Sequence, residues 1–270
     1  MRLHNIILIG LVLLTALIPT SAQTWGVVGL SASTPAVPDY CESCTDDADA
    51  DILCETFESS QFCTWSIQES GGAAGDVTIS TTKDDSPALG CGGNIGDNAI
   101  SVVKTSEGWA AAWAYIDYTS ITTAYMQFYI KILAEGFAND DTCVIVGYYV
   151  SYSTPAFGLQ LVQDSDKLYF GLAYRDNGWK SDLGSTAISL DTWYGVRMYF
   201  NDTGAGSSCS WAVDYDLDGT YTDEGSSGTV NFDRVERYIS IGCGYMSKTI
   251  SFQVEGLKVD ADAYPDDCAR

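Results

Sequence analysis

Apolar and polar residues alternate along most of this chain. Ala124, Met126, Phe128, Ile130 and Ile132 alternate with Tyr125, Gln127, Tyr129 and Lys131. A period of two puts one set of side chains on each face of an extended strand, one toward a core and one toward solvent. The pattern returns in Leu168, Phe170, Leu172 and Tyr174, in Tyr194, Val196, Met198 and Phe200, in Trp211, Val213 and Tyr215, and in Ile250, Phe252 and Val254. Clusters of Gly, Asp, Asn and Ser separate these stretches, as turns require. No window carries a helical period, and no unit repeats at a fixed spacing as in a propeller or solenoid. So many strands must cover one face of each sheet with another sheet. The pattern therefore predicts an all-β fold, a two-sheet antiparallel β-sandwich over residues 52–262. In a jelly roll of this size the first and last strands sit side by side, which places residues 52–57 near 251–259.

The chain before this domain reads differently. Arg2 precedes an apolar run from Ile6 to Ile18, followed by Pro19, Thr20, Ser21 and Ala22. A positive start, a short apolar centre and small residues at the cut describe a signal peptide over 1–22. Its apolar centre falls short of the roughly 20 residues a membrane-spanning helix needs. The expectation is a secreted, extracellular protein with no membrane insertion. Cleavage after Ala22 would also remove His4, the only histidine. Residues 23–51 have no hydrophobic period, are broken by Pro35 and Pro38, and end in an acidic run from Asp46 to Asp51, so they read as a solvated N-terminal arm. Residues 263–270 form a short C-terminal tail.

Charge and cysteines narrow the partners. A formal net charge of −23 repels phosphate, so nucleic acid is excluded and an anionic membrane is disfavoured. Nine cysteines in an exported chain point to disulfides. Cys41 and Cys44 form a C-x-x-C with neither a second such pair nor a histidine to complete a zinc site. Cys54 and Cys63 flank a short loop and are candidate mates, and Cys268 reaches Cys41 or Cys44 if the chain ends meet. The odd count leaves at least one thiol either reduced or bridging to another copy, so self-association stays open.

Four stretches resemble the concanavalin A-like (laminin-G-like) jelly roll of secreted sugar-binding and glycan-processing proteins, in its bacterial extracellular form. Leu53-Cys54-Glu55-Thr56-Phe57-Glu58-Ser59 with Trp65 is similar to that family's opening strand. Leu190-Asp191-Thr192-Trp193-Tyr194-Gly195-Val196-Arg197 resembles its "L-x-T-W-Y-x-V" strand, and Trp211 to Asp216 its "V-D-G" hairpin. Phe252 to Asp260 resembles the closing "I-D-x-V-x-V" strand. The resemblance implies a sandwich over 52–262 with Trp65, Trp193 and Trp211 buried. It is weak on function, because lectins, hydrolases, lyases and adhesion modules share the fold.

Catalytic strings of that class are missing. No E-x-D-x-x-E places acid and nucleophile on one strand face, and Glu55 and Glu58 would point to opposite faces. Neither "Q-I-H" nor "Y-x-K-x-G-x-Y" of the alginate lyases occurs, and without imidazole Ser-His-Asp and Cys-His chemistry fail. Two other constellations stand out. Asp214-x-Asp216-x-Asp218-Gly219 opens like an oxygen-rich calcium loop, but its twelfth position is Gly225, leaving Glu224 as substitute ligand in a different geometry. The same residues also read as a β-hairpin turn around Asp218-Gly219. Calcium in a structural role is the one cofactor the sequence suggests. Sugar rings, for their part, stack on flat aromatics and bond to amides and carboxylates. Arg175, Asp176, Asn177 and Trp179 gather those types at a turn, with Trp179 expected exposed, and Trp109 and Trp113 offer a same-face row with Tyr115 if extended. Asn201-Asp202-Thr203 is the one N-glycosylation sequon, expected in a loop.

The leading reading is a secreted non-catalytic module that binds carbohydrate or another cell-surface or extracellular polymer. A polysaccharide hydrolase or lyase on the same fold, and a structural subunit of an extracellular assembly, are the alternatives.

Overall fold

Alternation at period two becomes fifteen strands in the computed structural model: β1 (Leu53–Glu55), β2 (Ser66–Gly71), β3 (Val77–Lys83), β4 (Asn98–Lys104), β5 (Ala110–Asp117), β6 (Thr123–Glu135), β7 (Thr142–Ser151), β8 (Thr154–Asp164), β9 (Lys167–Arg175), β10 (Trp179–Ile188), β11 (Trp193–Asn201), β12 (Ser208–Asp214), β13 (Thr222–Ser226), β14 (Tyr238–Met246) and β15 (Ile250–Asp260). The structure describes residues 53–55, 57, 65–71, 77–83, 98–105, 110–117, 122–151, 154–176, 178–202, 206–230, 238–246 and 248–265. The expected signal peptide (1–22) and arm (23–51) lie outside them. No helix occurs among the described residues, so none there is long and apolar enough to cross a membrane.

The strands form two antiparallel sheets. Sheet A runs β13-β12-β11-β6-β15-β4-β3, with β1 beside β15, and sheet B runs β10-β9-β8-β7-β14-β5-β2. The opening and closing strands do pair, Leu53 opposite Val259 and Glu55 opposite Leu257. Between the sheets lie the expected apolar sets. Met126, Phe128 and Ile130 of β6, Val196, Met198 and Phe200 of β11, and Phe252 and Val254 of β15 are fully buried. They meet Leu159 and Leu161 of β8, Phe170 and Leu172 of β9, and Ile239 and Ile241 of β14 in one continuous core. Aromatic rings lock the two layers at its centre. The Phe200 centroid of sheet A lies 4.5 Å from that of Tyr148 and 5.4 Å from that of Phe157, both on sheet B.

Trp65, Trp193 and Trp211 are all buried, as the resemblance implied. Trp193 nevertheless points out of the sandwich, into a small cluster with Ala99 and Tyr129 on the far side of sheet A. Asn201 differs from expectation. It closes β11, opposite Thr123 and Ser208, instead of lying in a loop, and its Oδ1 accepts a hydrogen bond from Thr123 Oγ1. Cross-strand pairing there wins over the turn signal that Asn-Asp gives locally.

Candidate functional site on the outer face of sheet B

Each sheet has a second face, turned away from the core, and the two are furnished differently. On sheet A several outward groups are engaged by the chain itself. The Arg197 Nε donates to Gln127 Oε1 at 2.6 Å, and its guanidinium lies 3.9 Å from the Tyr221 ring and 5.2 Å from that of Tyr264. The Lys131 ammonium sits 4.9 Å from the Trp193 ring. Leu217, from the loop after β12, packs onto Ala99, Tyr129 and Trp193. Arg197, Lys131 and Leu217 are thus held by contacts within the chain.

Sheet B leaves a trough. Ser240 of β14 lies between Tyr115 of β5 and Gly147 of β7. The row continues from Gly147 to Gly158, Ala173 and Ser181, one residue per strand, ending on edge strand β10. These residues share the parity of the outward positions, since their chain neighbours Ile239, Ile241, Tyr148, Phe157, Leu159, Leu172 and Tyr174 all enter the core. A floor of Ser, Gly, Gly, Ala and Ser has almost no side chain above the pleat. Glycine is required by close approach as well: a Cβ on Gly147 would stand 2.4 Å from the Phe157 carbonyl oxygen and 2.5 Å from Gly158 Cα. From β5 to β10 the trough crosses five strand spacings, roughly 24 Å.

Aromatic rings bound it. Trp113 of β5 faces Gly242, Tyr238 faces Tyr149 across β14 and β7, and the Tyr115 and Tyr238 rings meet edge-on at 5.5 Å. Trp113 and Tyr149 share a small apolar cluster with Ala111 outside the main core. At the other edge Arg175 lies opposite Trp179, its guanidinium 5.2 Å from the indole. Trp179 is 49% exposed, and Leu183, two outward positions further along β10, is 42% exposed. Gln160, the next outward position after Gly158 on β8, donates through Nε2 to Ser181 Oγ.

Among the described residues of this face, Ser240 Oγ on the floor and Arg175 Nε at the rim are buried without a hydrogen-bond partner. Buried polar atoms are ordinarily hydrogen-bonded, so an orphaned pair facing one trough asks for a ligand or for water. The ionisable chemistry is muted. Burial raises the Tyr149 pKa well above the phenol range, with Cys143 and Cys243 adding to it and Trp113 opposing it, so the hydroxyl is a neutral hydrogen-bonding group. Tyr174, beneath the rim, is raised as well, by burial first and then by Asp182.

Sequence reasoning selected both edges of this trough and missed its middle. Trp179 is exposed as expected, and Arg175 stacks on it. Asp176 follows directly, its amide donating to the Gly178 carbonyl in the turn. Trp113 and Tyr115 do share one face of β5, but Trp113 is buried, 1% exposed, since its ring lies over Gly242, whose Cβ would meet Trp113 Cδ1 at 2.9 Å. Trp109 and Asn177 lie outside the described residues. Tyr149, Tyr238, Ser240, Gly147 and Gly158 went unselected. The signal was there: in β7 and β14 the positions between core residues are Gly, Tyr and Ser instead of the charged residues a solvated face carries.

The other candidates sit elsewhere. Asp214, Asp216 and Asp218 converge beyond β12, each with a carboxylate oxygen within 4.8 Å of the others, so the hairpin and the cluster coexist. Glu224 is not among them. It faces β10, where Oε2 accepts from the Ser185 amide at 2.5 Å and Oε1 from Tyr215 Oη at 3.0 Å. Cys54 lies in β1 opposite Lys258, while Cys41, Cys44, Cys63 and Cys268 fall outside the described residues. Cys209 is a buried free thiol, so it is not available to bridge copies.

No protein-family model matches the chain, and no curated protein matches it by sequence. Its fold, by contrast, is shared. A cellulose-induced protein, Cip1, superposes with a TM-score of 0.51 at 11% identity, over 78% of this chain and 97% of that one. Domain 4 of AbnA, an extracellular arabinanase of Geobacillus stearothermophilus solved with arabinotriose, matches at 0.48 with 13% identity, over 80% and 97%. The alginate lyase vAL-1 of a Chlorella virus matches at 0.45 with 9% identity, over 73% and 93%. Identities this low speak to architecture alone. What the chain shares with them is the two-sheet antiparallel β-sandwich.

Proposed function

We propose that this is a secreted carbohydrate-binding module, and that an uncharged polysaccharide lies across the outer face of sheet B. The observation that carries the reading is the trough itself. Flat aromatic surface at Trp179, Tyr115 and Tyr238 suits the apolar faces of pyranose rings, and the orphaned Ser240 Oγ and Arg175 Nε suit their hydroxyls. A floor made of Gly147, Gly158 and Ala173 lets a chain lie against the backbone. Asp176, at the turn beside Trp179, adds a polar group at the β10 rim. The described part of the face brings rings and neutral hydrogen-bonding groups together. It does not bring two carboxylates to the roughly 5–9.5 Å that glycoside hydrolysis uses. The leader-like residues 1–22 support export.

A glycan array and sedimentation with insoluble polysaccharides test the reading. The mature protein is expected to retain at least one neutral polysaccharide. Trp179→Ala, at an exposed rim, should weaken that binding by tenfold or more, about 1.4 kcal/mol, while leaving the melting temperature unchanged. Failure to retain any glycan, or equal affinity of W179A, overturns it. New reducing ends or unsaturated products released from the substrate would instead establish the enzyme.

A further inference from the structure

The loop between β12 and β13 carries a feature that the trough does not use. We propose that Asp214, Asp216 and Asp218 hold a calcium ion that fastens this loop over the outer face of sheet A.

Three carboxylates stand close together. One oxygen of each lies within 4.8 Å of the others. Oxygens gathered within that span can all reach one divalent cation, whose oxygen ligands stand about 2.1–2.6 Å from it. A cluster of acidic residues is often no more than a solvated turn, and Asp216 and Asp218 are exposed. Asp214 is the exception. It is only 2% exposed, and its Oδ1 is buried with no hydrogen-bond partner, while Oδ2 accepts from the Gly219 amide at 2.9 Å. A carboxylate oxygen enclosed without a donor is a costly arrangement that a cation relieves.

The donor set selects the kind of ion. It is oxygen only, from carboxylates, with backbone carbonyls of the loop to complete six to eight ligands, and it contains no imidazole or thiolate. The backbone is already bent for the purpose. Leu217 and Gly219 adopt φ of 59° and 87°, and Asp218 Oδ1 accepts from the Thr220 amide at 2.7 Å. Glu224 is excluded from the ligand set, since Ser185 and Tyr215 occupy both of its oxygens.

The consequence is mechanical. Leu217, between the second and third ligands, packs on Trp193 and Tyr129, and Tyr221, just past the third, covers Arg197. An ion gripping 214, 216 and 218 fixes both contacts at once.

Isothermal titration of chelator-stripped protein with calcium chloride, paired with thermal melts in calcium and in EDTA, tests the proposal. Wild type should bind one calcium per chain and melt several degrees higher with it, with a smaller response to magnesium. Asp216→Ala, at an exposed position, should fold, melt at the wild-type EDTA temperature and lose both heat and shift. Glu224→Gln should keep calcium uptake. Coincident wild-type melts with no heat of binding overturn the proposal, as does D216A with undiminished uptake. Loss of uptake in E224Q overturns this choice of ligands. None of these readouts involves a glycan, so the result stands apart from the trough.

Discussion

Replacing Gly147 with alanine tests the trough at its narrowest point. Gly147 and Gly158 face each other across β7 and β8, and a Cβ added at 147 would meet the Phe157 carbonyl oxygen at 2.4 Å and Gly158 Cα at 2.5 Å. Carbon contacts settle near 3.5–4.0 Å, so the two strands must part by about 1 Å. The obstacles are backbone, which cannot swing aside as a flexible side-chain tip could. Overpacking of this kind costs about 1–3 kcal/mol, and one weakened ladder hydrogen bond adds about 1. For a domain of this size each kcal/mol lowers the melting temperature by about 2–4 °C, so G147A should melt roughly 4–16 °C below wild type. The comparison is Gly228→Ala, where φ is 64° but nothing lies within 4 Å, so only backbone strain of about 1 kcal/mol is expected. Urea denaturation should rank the two in the same order. Because parting β7 from β8 also buckles the floor, G147A should bind its polysaccharide less well at temperatures where it remains folded. A melting temperature within 2 °C of wild type, or above that of G228A, refutes the pairing of 147 with 158 and the flat floor with it.

Two further outcomes follow from the core. Phe200→Ala removes the ring that joins both layers through Tyr148 and Phe157, so a loss of about 3–5 kcal/mol is expected in urea titrations. Burial pushes the Cys209 thiol from its ordinary 9.0 up to about 11, with smaller effects of opposite sign from Ser227 and Asp182. The fold therefore favours the neutral thiol. Its contribution is complete below pH 9 and drains away as the pH rises through 11, to a total of about 2–3 kcal/mol. Stability measured between pH 8 and 11.5 should fall less steeply in Cys209→Ser than in wild type; parallel curves would contradict the assignment.

The fold was legible because its core obeys the simplest rule available. Met126, Phe128 and Ile130 read inward on sequence alone, and the pairing of 53–55 with 257–259 followed from the expected topology. The site was legible only at its edges. Trp179 betrayed itself by charged and glycine neighbours, a local signal. Ser240, Gly147, Gly158 and Ala173 come from four strands as much as 93 positions apart, and only hydrogen-bond register sets them in line. Strand glycines also look like weak points or bulges until the facing strand is known. Glu224 fails for the same reason. Counting along the loop makes it a ligand, but β13 runs beside β10, where Ser185 and Tyr215 take its oxygens.

The cations decide which class of polysaccharide the trough suits. Acidic glycans require several unneutralised positive groups at their carboxylates, and this chain has 13 Lys and Arg against 36 Asp and Glu. Several of those 13 are spent inside the fold. Lys104 and Lys131 are 1% and 4% exposed, Arg197 is sandwiched between Tyr221 and Tyr264, and Lys248 pairs with Asp141 at 3.4 Å. On the trough, the positively charged side chain described near the rings is Arg175, with Asp176 next to it and Asp117 at the far end of the Tyr238–Tyr149 row. One guanidinium stacked on Trp179 orients a ligand but does not offset a net charge of −23, whose repulsion of a polyanion fades only as salt screens it. Binding to a neutral polysaccharide should thus be nearly independent of ionic strength, while any retention of a uronate polymer should appear only at high salt. Retention of alginate or pectate that is strongest at low salt would show that the masked charges are not the ones that matter, and would move the ligand to another surface.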